Sequence, residues 1–210
     1  DYTNPVEITI GAGKTLTLQN SYVNTQTKIL DGTYRGGLTF TGGNLVLRMD
    51  DTSISTTTLD DGTVVPYTEQ WFFRATNYEN TGTTTFNTDS PVLMEGSVPE
   101  GVAYHGKVFF NSGLVMNIDR SGVDVARDIM AVLGQIGGTF SATSAEINIT
   151  AGANDTTIGA FRLGYGANLE VGSLNLQLNG NNAESMTEVE GLYVWDHKNY
   201  PQYTAYGKDI

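Results

Sequence analysis

The sequence predicts an all-β chain wound as a parallel β-helix, and three observations predict it. The strands are very short. Small hinges of Gly, Asn or Ser separate them, where a sandwich would use reversing hairpins. The strand–hinge–strand unit recurs along most of the 210 residues. Residues 36–51, "GGLTFTGGNLVLRMDD", show all three features. Leu38, Phe40, Leu45, Leu47 and Met49 are apolar, and Thr39, Thr41, Asn44 and Arg48 fall mostly between them. That is the period of two of a strand with one dry face.

Composition supports this class. Only 16% of residues are charged, against roughly 25% in soluble domains, so polarity comes from Thr, Asn, Ser and Gly. Glycine supplies 25 residues and proline only 5. That balance suits many tight corners between β-branched strands more than a Pro/Gly linker. A one-residue corner in the left-handed region fits Gly or Asn and bends a strand without reversing it. Asn179-Gly180 is the one Asn-Gly pair of the hairpin type. A β-sandwich or jelly roll is the alternative architecture.

The elements follow in order. Val6, Ile8 and Ile10 alternate with Glu7 and Thr9. After "GAGK", Leu16 and Leu18 alternate with Thr15 and Thr17. "QWFFRATN" in 60–90 reads as a buried strand, and "ENTGTTTFN" as a turn and strand. "GKVFFNSGLVMNID" at 106–119, "GGTFSATSAEINITAGAN" at 137–154 and "GAFRLGYGANLEVGSLNLQLNGNN" at 159–182 repeat the scheme. The spacing between copies is irregular, roughly 20 to 45 residues, a range that signals solenoids. A single coil cannot bury its own apolar face, so stacked coils share one core.

Two segments depart from the pattern. Residues 122–137, "GVDVARDIMAVLGQIG", carry Val125, Ile129, Val132, Leu133 and Ile136 at helical spacing, opposite Asp124, Arg127 and Asp128. They predict one short amphipathic helix near 123–136, capped by Asp119 or Ser121 and inserted between coils. The tail "EGLYVWDHKNYPQYTAYGKDI" is rich in tyrosine. It reads as an irregular cap or linker over 183–210 within a single solenoid segment spanning 1–210.

Runs such as "GAGKTLTLQN", "GGNLVLRMDD" and "GANLEVGSLNLQLNG" resemble the passenger regions of bacterial autotransporters, the type V secreted surface proteins. The resemblance covers most of residues 5–182 and rests on composition. It implies a right-handed parallel β-helix, display at the bacterial cell surface or release after export across the outer membrane, and attachment or virulence as the role. A start at Asp1 and the lack of cysteine fit an excised passenger piece. In such a protein the N-x-T sequons at Asn148 and Asn154 are incidental.

Charge limits the partners. Eleven basic against 23 acidic residues give a net charge of −12, a surface that repels phosphate backbones and anionic lipid, so nucleic acid is not an expected partner. No apolar run approaches a membrane span. Without cysteine there is no disulfide, thiolate metal site or cysteine nucleophile. The two histidines, His105 and His197, lack a convincing serine partner, and no G-x-S-x-G occurs. "GAGKTLTL" fails the Walker spacing.

The favoured function is therefore binding, not catalysis, with no cofactor. A host-cell or neighbouring-cell surface protein or glycan is the expected ligand of an adhesin segment. Its contacts are expected on the loop 51–70, the stretch 88–106 and the aromatic tail. Tyr67, Trp71, Tyr104, Trp195 and Tyr200 are the candidate contact residues, because aromatics with a polar handle serve adhesive surfaces. A glycan-cleaving β-helix of the tailspike type is one alternative, with Glu188 and Glu190 as carboxylates on one strand face. A structural stalk without ligand is another. Asp50, Asp51, Asp60 and Asp61 flank one excursion and raise calcium binding as a question, with two solvated turns as the simpler reading.

Overall fold

Alternation of apolar and polar residues sorts the chain into pairs of short strands, and the pairs fall into register with one another. The computed structural model describes residues 6–19, 23–24, 37–50, 55–58, 62–67, 73–74, 83–97, 107–123, 128–130, 139–163, 168–181 and 188–194. One six-stranded sheet contains, in order, β1 (Val6–Thr9), β4 (Gly37–Thr41), β9 (Thr83–Asn87), β11 (Lys107–Phe110), β14 (Thr139–Ala142) and β17 (Asn168–Val171). The second contains β2 (Thr15–Gln19), β5 (Asn44–Met49), β10 (Val92–Gly96), β12 (Leu114–Asp119), β15 (Ala145–Thr150) and β18 (Leu174–Asn179). A third sheet joins β13 (Asp128–Met130), β16 (Thr157–Leu163) and β19 (Glu188–Val194). A small parallel pair joins β3 (Val23–Asn24) to β8 (Phe73–Arg74).

Every strand of the first sheet is followed by its mate in the second, and the sheets run in the same chain order. This is an all-β chain of parallel sheets, compatible with a solenoid. An antiparallel sandwich does not describe it. The single antiparallel pairing among the described residues joins β6 (Ser55–Thr58) to β7 (Val64–Tyr67). That hairpin lies inside the excursion expected over 51–70, and Gly62, at φ +83°, sits between its strands.

Period-two alternation places one face of each six-stranded sheet in a common core. Phe40, Phe86 and Phe110 occupy one column of the first sheet and are essentially inaccessible. Their rings stack at centroid distances of 5.3 and 4.7 Å, and Phe140 and Phe161 extend the series with tilted contacts of 5.5 Å. Leu47, Met94, Met116 and Ile147 form the facing column of the second sheet, and all belong to the same core. Stacking each apolar residue on its equivalent removes it from water on three sides, which a lone strand pair cannot do.

The corners between the two sheets occupy 42–43, 143–144 and 172–173, with longer ones at 10–14, 88–91 and 111–113. The first three have two residues, within the one- or two-residue hinge that the sequence suggests, and the other three are longer. At Gly43, φ is +48° and an added Cβ would meet Ile10 Cγ2 at 2.3 Å, so close approach of two corners requires glycine there. Thr88 and Ser112 hydroxyls hydrogen-bond each other at 2.7 Å between successive corners.

The helix expected near 123–136 is corrected. Asp128–Met130 is a strand, pairing in parallel with Thr157–Gly159 and setting Ile129 opposite Ile158. No helix occurs among the described residues. The physical reason is tertiary: sheet pairing overrides a local 3.6-residue spacing that is also apolar enough to serve a strand. Residues 124–127 and 131–138 lie outside the described residues. The expected cap is present in another role, since Asp119 Oδ1 accepts a hydrogen bond from Ser121 N at 2.9 Å and closes a turn after β12. Within the tail, Glu188–Val194 joins the third sheet, and 183–187 and 195–210 lie outside the described residues.

Candidate functional site

The faces that do not enter the core are the ones available for recognition. In β5, β10, β12 and β15, every residue between two core positions points outward, as the burial alternation shows. Register then aligns these residues into columns. One column of the second sheet runs Gln19, Arg48, Glu95, Asn117, Asn148, Gln177. The neighbouring column contains Val46, Leu93 and Val115, all half-buried, followed by exposed Glu146.

The polar column is internally ordered. Arg48 donates to Glu95 through Nε at 2.7 Å and also through Nη2, and the pair is partly exposed. Asn148 Nδ2 donates to Asn117 Oδ1 at 2.9 Å. On the first sheet side, Asn111 Nδ2 donates to Asn87 Oδ1 at 2.6 Å. Such ladders fix side-chain rotamers before any ligand arrives, which lowers the entropy cost of binding. Chemically, this face offers amide, carboxylate and guanidinium groups beside a shallow apolar stripe. That combination suits a ligand with many hydroxyls or amides.

A buried polar centre lies at the end of the second sheet. Arg120 Nε and Nη2 donate to Asp155 Oδ2 and Oδ1, both at 2.9 Å, in a bidentate pair whose side chains are 1% and 0% exposed. Arg120 Nη1 also donates to Ser97 O at 3.2 Å. Asp155 Oδ2 accepts from Gly152 N, and Asn181 Nδ2 donates to the carbonyls of Gly152 and Asp155. A Cβ on Gly152 would lie 2.9 Å from Asp155 Oδ2 and 2.8 Å from Val123 O, so glycine permits this approach. The centre joins residues following β10, β12, β15 and β18, and its Arg120–Asp155 pair is closed off from solvent. It holds strand pairs together. Nothing local in the sequence marks it, since its partners are 35 residues apart.

Among titrating groups, Asp119 is held below the ordinary carboxylate value. The Ser121 hydroxyl is the main cause and the Ser121 backbone N–H the second, against a slight desolvation.

The sequence-predicted contact residues fall almost wholly outside the described residues. Tyr67 ends β7, and its side chain lies outside the described residues, as do Trp71, Tyr104, Trp195 and Tyr200 entirely. Glu188 and Glu190 stand two apart on β19, opposite Thr157 and Gly159. Asp50 is exposed at the end of β5, while Asp51, Asp60 and Asp61 lie outside the described residues. Among the described residues no cluster of three His, Cys, Asp or Glu side chains is placed to hold a metal ion. No helix there is long and apolar enough to cross a membrane.

Comparison with known proteins gives no assignment: the sequence matches no family model, no curated protein and no solved structure at a significant level.

Proposed function

We propose that the strand pairs are successive coils of a right-handed parallel β-helix, and that this helix is a segment of a bacterial surface or secreted adhesin of the autotransporter passenger type. Right-handed winding is what parallel strands joined by crossovers adopt in nearly all cases. The observation that carries the binding reading is the continuous outer column Arg48, Glu95, Asn117, Asn148 on the second sheet, beside the apolar stripe of Val46, Leu93 and Val115. A stacked scaffold presents such a face as a rigid plane, and recognition of a host or neighbouring-cell glycan or protein draws on its ordered amides. The acidic balance of −12 supports selection against anionic polymers and a preference for neutral or basic partners.

The test is direct binding of the purified chain to glycan arrays and to intact host and bacterial cells. Combined Arg48→Ala, Asn117→Ala and Asn148→Ala should weaken apparent affinity roughly a hundredfold, at about 1 kcal/mol for each hydrogen-bonding group lost. Binding unchanged by the triple substitution would remove the outer face from the account. No binding to any cell or glycan would favour the structural stalk.

A further inference from the structure

We infer that Asn179 is a site of spontaneous covalent modification: Gly180 N attacks the Asn179 side-chain amide, and the isoaspartate that results releases the end of β18 from the buried Arg120–Asp155 centre. Asn179-Gly180 is the only Asn-Gly pair in the chain. Among the described residues it makes no hairpin, for it ends β18, whose pairing with β15 is parallel. Both residues are exposed. Asn179 Nδ2 lies 3.5 Å from Thr150 Oγ1, at the outer limit of a hydrogen bond. Other ladder asparagines are held more firmly, Asn148 at 2.9 Å and Asn111 at 2.6 Å, and are followed by Ile149 and Ser112. Glycine has no Cβ, so the nitrogen of residue 180 is open to the neighbouring carbonyl carbon.

The step is intramolecular and needs only water. Gly180 N forms a bond to Asn179 Cγ, the Cγ–Nδ2 bond breaks, and the displaced nitrogen leaves as ammonia with the peptide proton. Water then opens the cyclic imide. Opening at the former main-chain carbonyl yields isoaspartate, with the chain continuing through Cγ, and opening at Cγ yields aspartate. One water replaces one ammonia, and nothing is oxidised or reduced. Ring closure turns the Asn179 carbonyl out of its extended setting, so the bond from Ala151 N to Asn179 O must open first. Opening of this strand end therefore sets the rate, and the folded chain slows the reaction without preventing it.

Position makes the product consequential. Ala151 N donates to Asn179 O, and two residues on, Asn181 Nδ2 donates to the carbonyls of Gly152 and Asp155. Gly152 N in turn donates to Asp155 Oδ2, which also accepts from Arg120 Nε. Isoaspartate inserts one methylene into the main chain between the anchors at 179 and 181. It also adds a carboxylate two strands from Asp119, in the column Asp119, Thr150, Asn179. Both anchors cannot then keep their register, so Asn181 lets go of the centre. This inference does not depend on any ligand, so its failure and that of the adhesin reading are separable.

The test is ageing of the purified full chain at mildly alkaline pH, followed by peptide mapping, enzymatic methyl labelling of isoaspartate and amide hydrogen exchange. Asn179 should show the mass change of amide to acid before Asn111, Asn117 and Asn148 do, with isoaspartate exceeding aspartate. Gly180→Ala should slow conversion several-fold and Asn179→Gln should remove it, with circular dichroism checking that both variants fold. Unfolding the wild type in urea should speed conversion at 179, because no strand end then has to open. In the aged chain, exchange protection should fall at Ala151 through Asp155 and the urea midpoint should drop. Freshly made Asn179→Asp gains the charge without the extra methylene and should stay closer to wild type. Conversion of Asn111, Asn117 or Asn148 first, an undiminished rate in Gly180→Ala, or retained protection at Ala151 in the isoaspartyl chain would overturn the inference. So would isoaspartate found only without the mass change, which belongs to Asp31-Gly32 or Asp61-Gly62.

Discussion

Asp155→Asn keeps the shape of the buried side chain and removes its charge, taking the Asp155 counter-charge away from the Arg120 guanidinium in a site where both side chains are almost wholly inaccessible. Breaking one side of a buried ion pair costs about 3–5 kcal/mol, because the surviving charge is no longer compensated. The geometry places this case in that range: two charge-assisted bonds of 2.9 Å are altered together, and Asp155 also orders Gly152 N. With a urea slope of about 2–3 kcal/mol/M, the unfolding midpoint should fall by about 1–2.5 M. The assay is equilibrium urea unfolding followed by circular dichroism and by intrinsic fluorescence, whose coincidence checks two-state behaviour. Arg120→Met alone should cost a similar amount. The double variant Arg120→Met/Asp155→Asn should be less destabilised than the sum of the two by at least about 1 kcal/mol, since no uncompensated charge remains. A loss below about 1 kcal/mol for Asp155→Asn, or simple additivity in the double variant, would refute the view that this pair joins successive strand pairs.

Two further outcomes follow from the packing and the turn. Phe86→Ala opens a cavity between Phe40 and Phe110 and should cost about 3–5 kcal/mol, with Phe86→Leu costing clearly less; calorimetry gives the comparison, and equal losses would deny that the ring column is close-packed. Ser121→Ala removes the hydroxyl that chiefly lowers the Asp119 value, so carboxyl NMR titration should show Asp119 moving up toward the ordinary carboxylate value. Because the folded value lies below the unfolded one, this stabilisation is present above about pH 4 and fades as pH falls through the folded value. The stability gap between wild type and variant should therefore narrow in acid, and a constant gap would contradict the assignment.

Much of the fold was legible because its signal is local. Leu38, Phe40, Leu45, Leu47 and Met49 alternate with polar residues, and "GG" between them cannot be mistaken for a strand interior. Parallel direction was legible only indirectly, from hinges too small and too few in Asn-Gly to reverse the chain. Residues 128–130 misled because Ile129 fits a helical stripe and a strand equally well, and the choice is made by Ile158, far along the chain. The hairpin at β6 and β7 shows in the sequence only as an excursion with a turn, since Ser-Thr-Thr-Thr has no apolar stripe and Pro66 interrupts the short apolar run of β7. Arg120 and Asp155 were invisible for a related reason: a lone Arg and a lone Asp become a pair only once the register is fixed. The outer column was similarly hidden, because Arg48, Glu95, Asn117 and Asn148 are unremarkable until stacking sets them side by side.

Distances across the whole stack test the central claim that strand pairs pile in parallel and in this register. Glu7 and Glu170 lie in one column on the first and last strands of a six-stranded sheet, as do Gln19 and Gln177 on the second. The chain contains no cysteine, so cysteines placed at each pair carry spin labels without background. Five steps of about 4.8 Å put both pairs about 24 Å apart between backbones, and pulsed dipolar EPR in dilute solution should return two similar, narrow distributions near that value, broadened only by the label arms. Distances that differ widely between the two pairs, or that fall far from this value in either, would contradict the parallel stack.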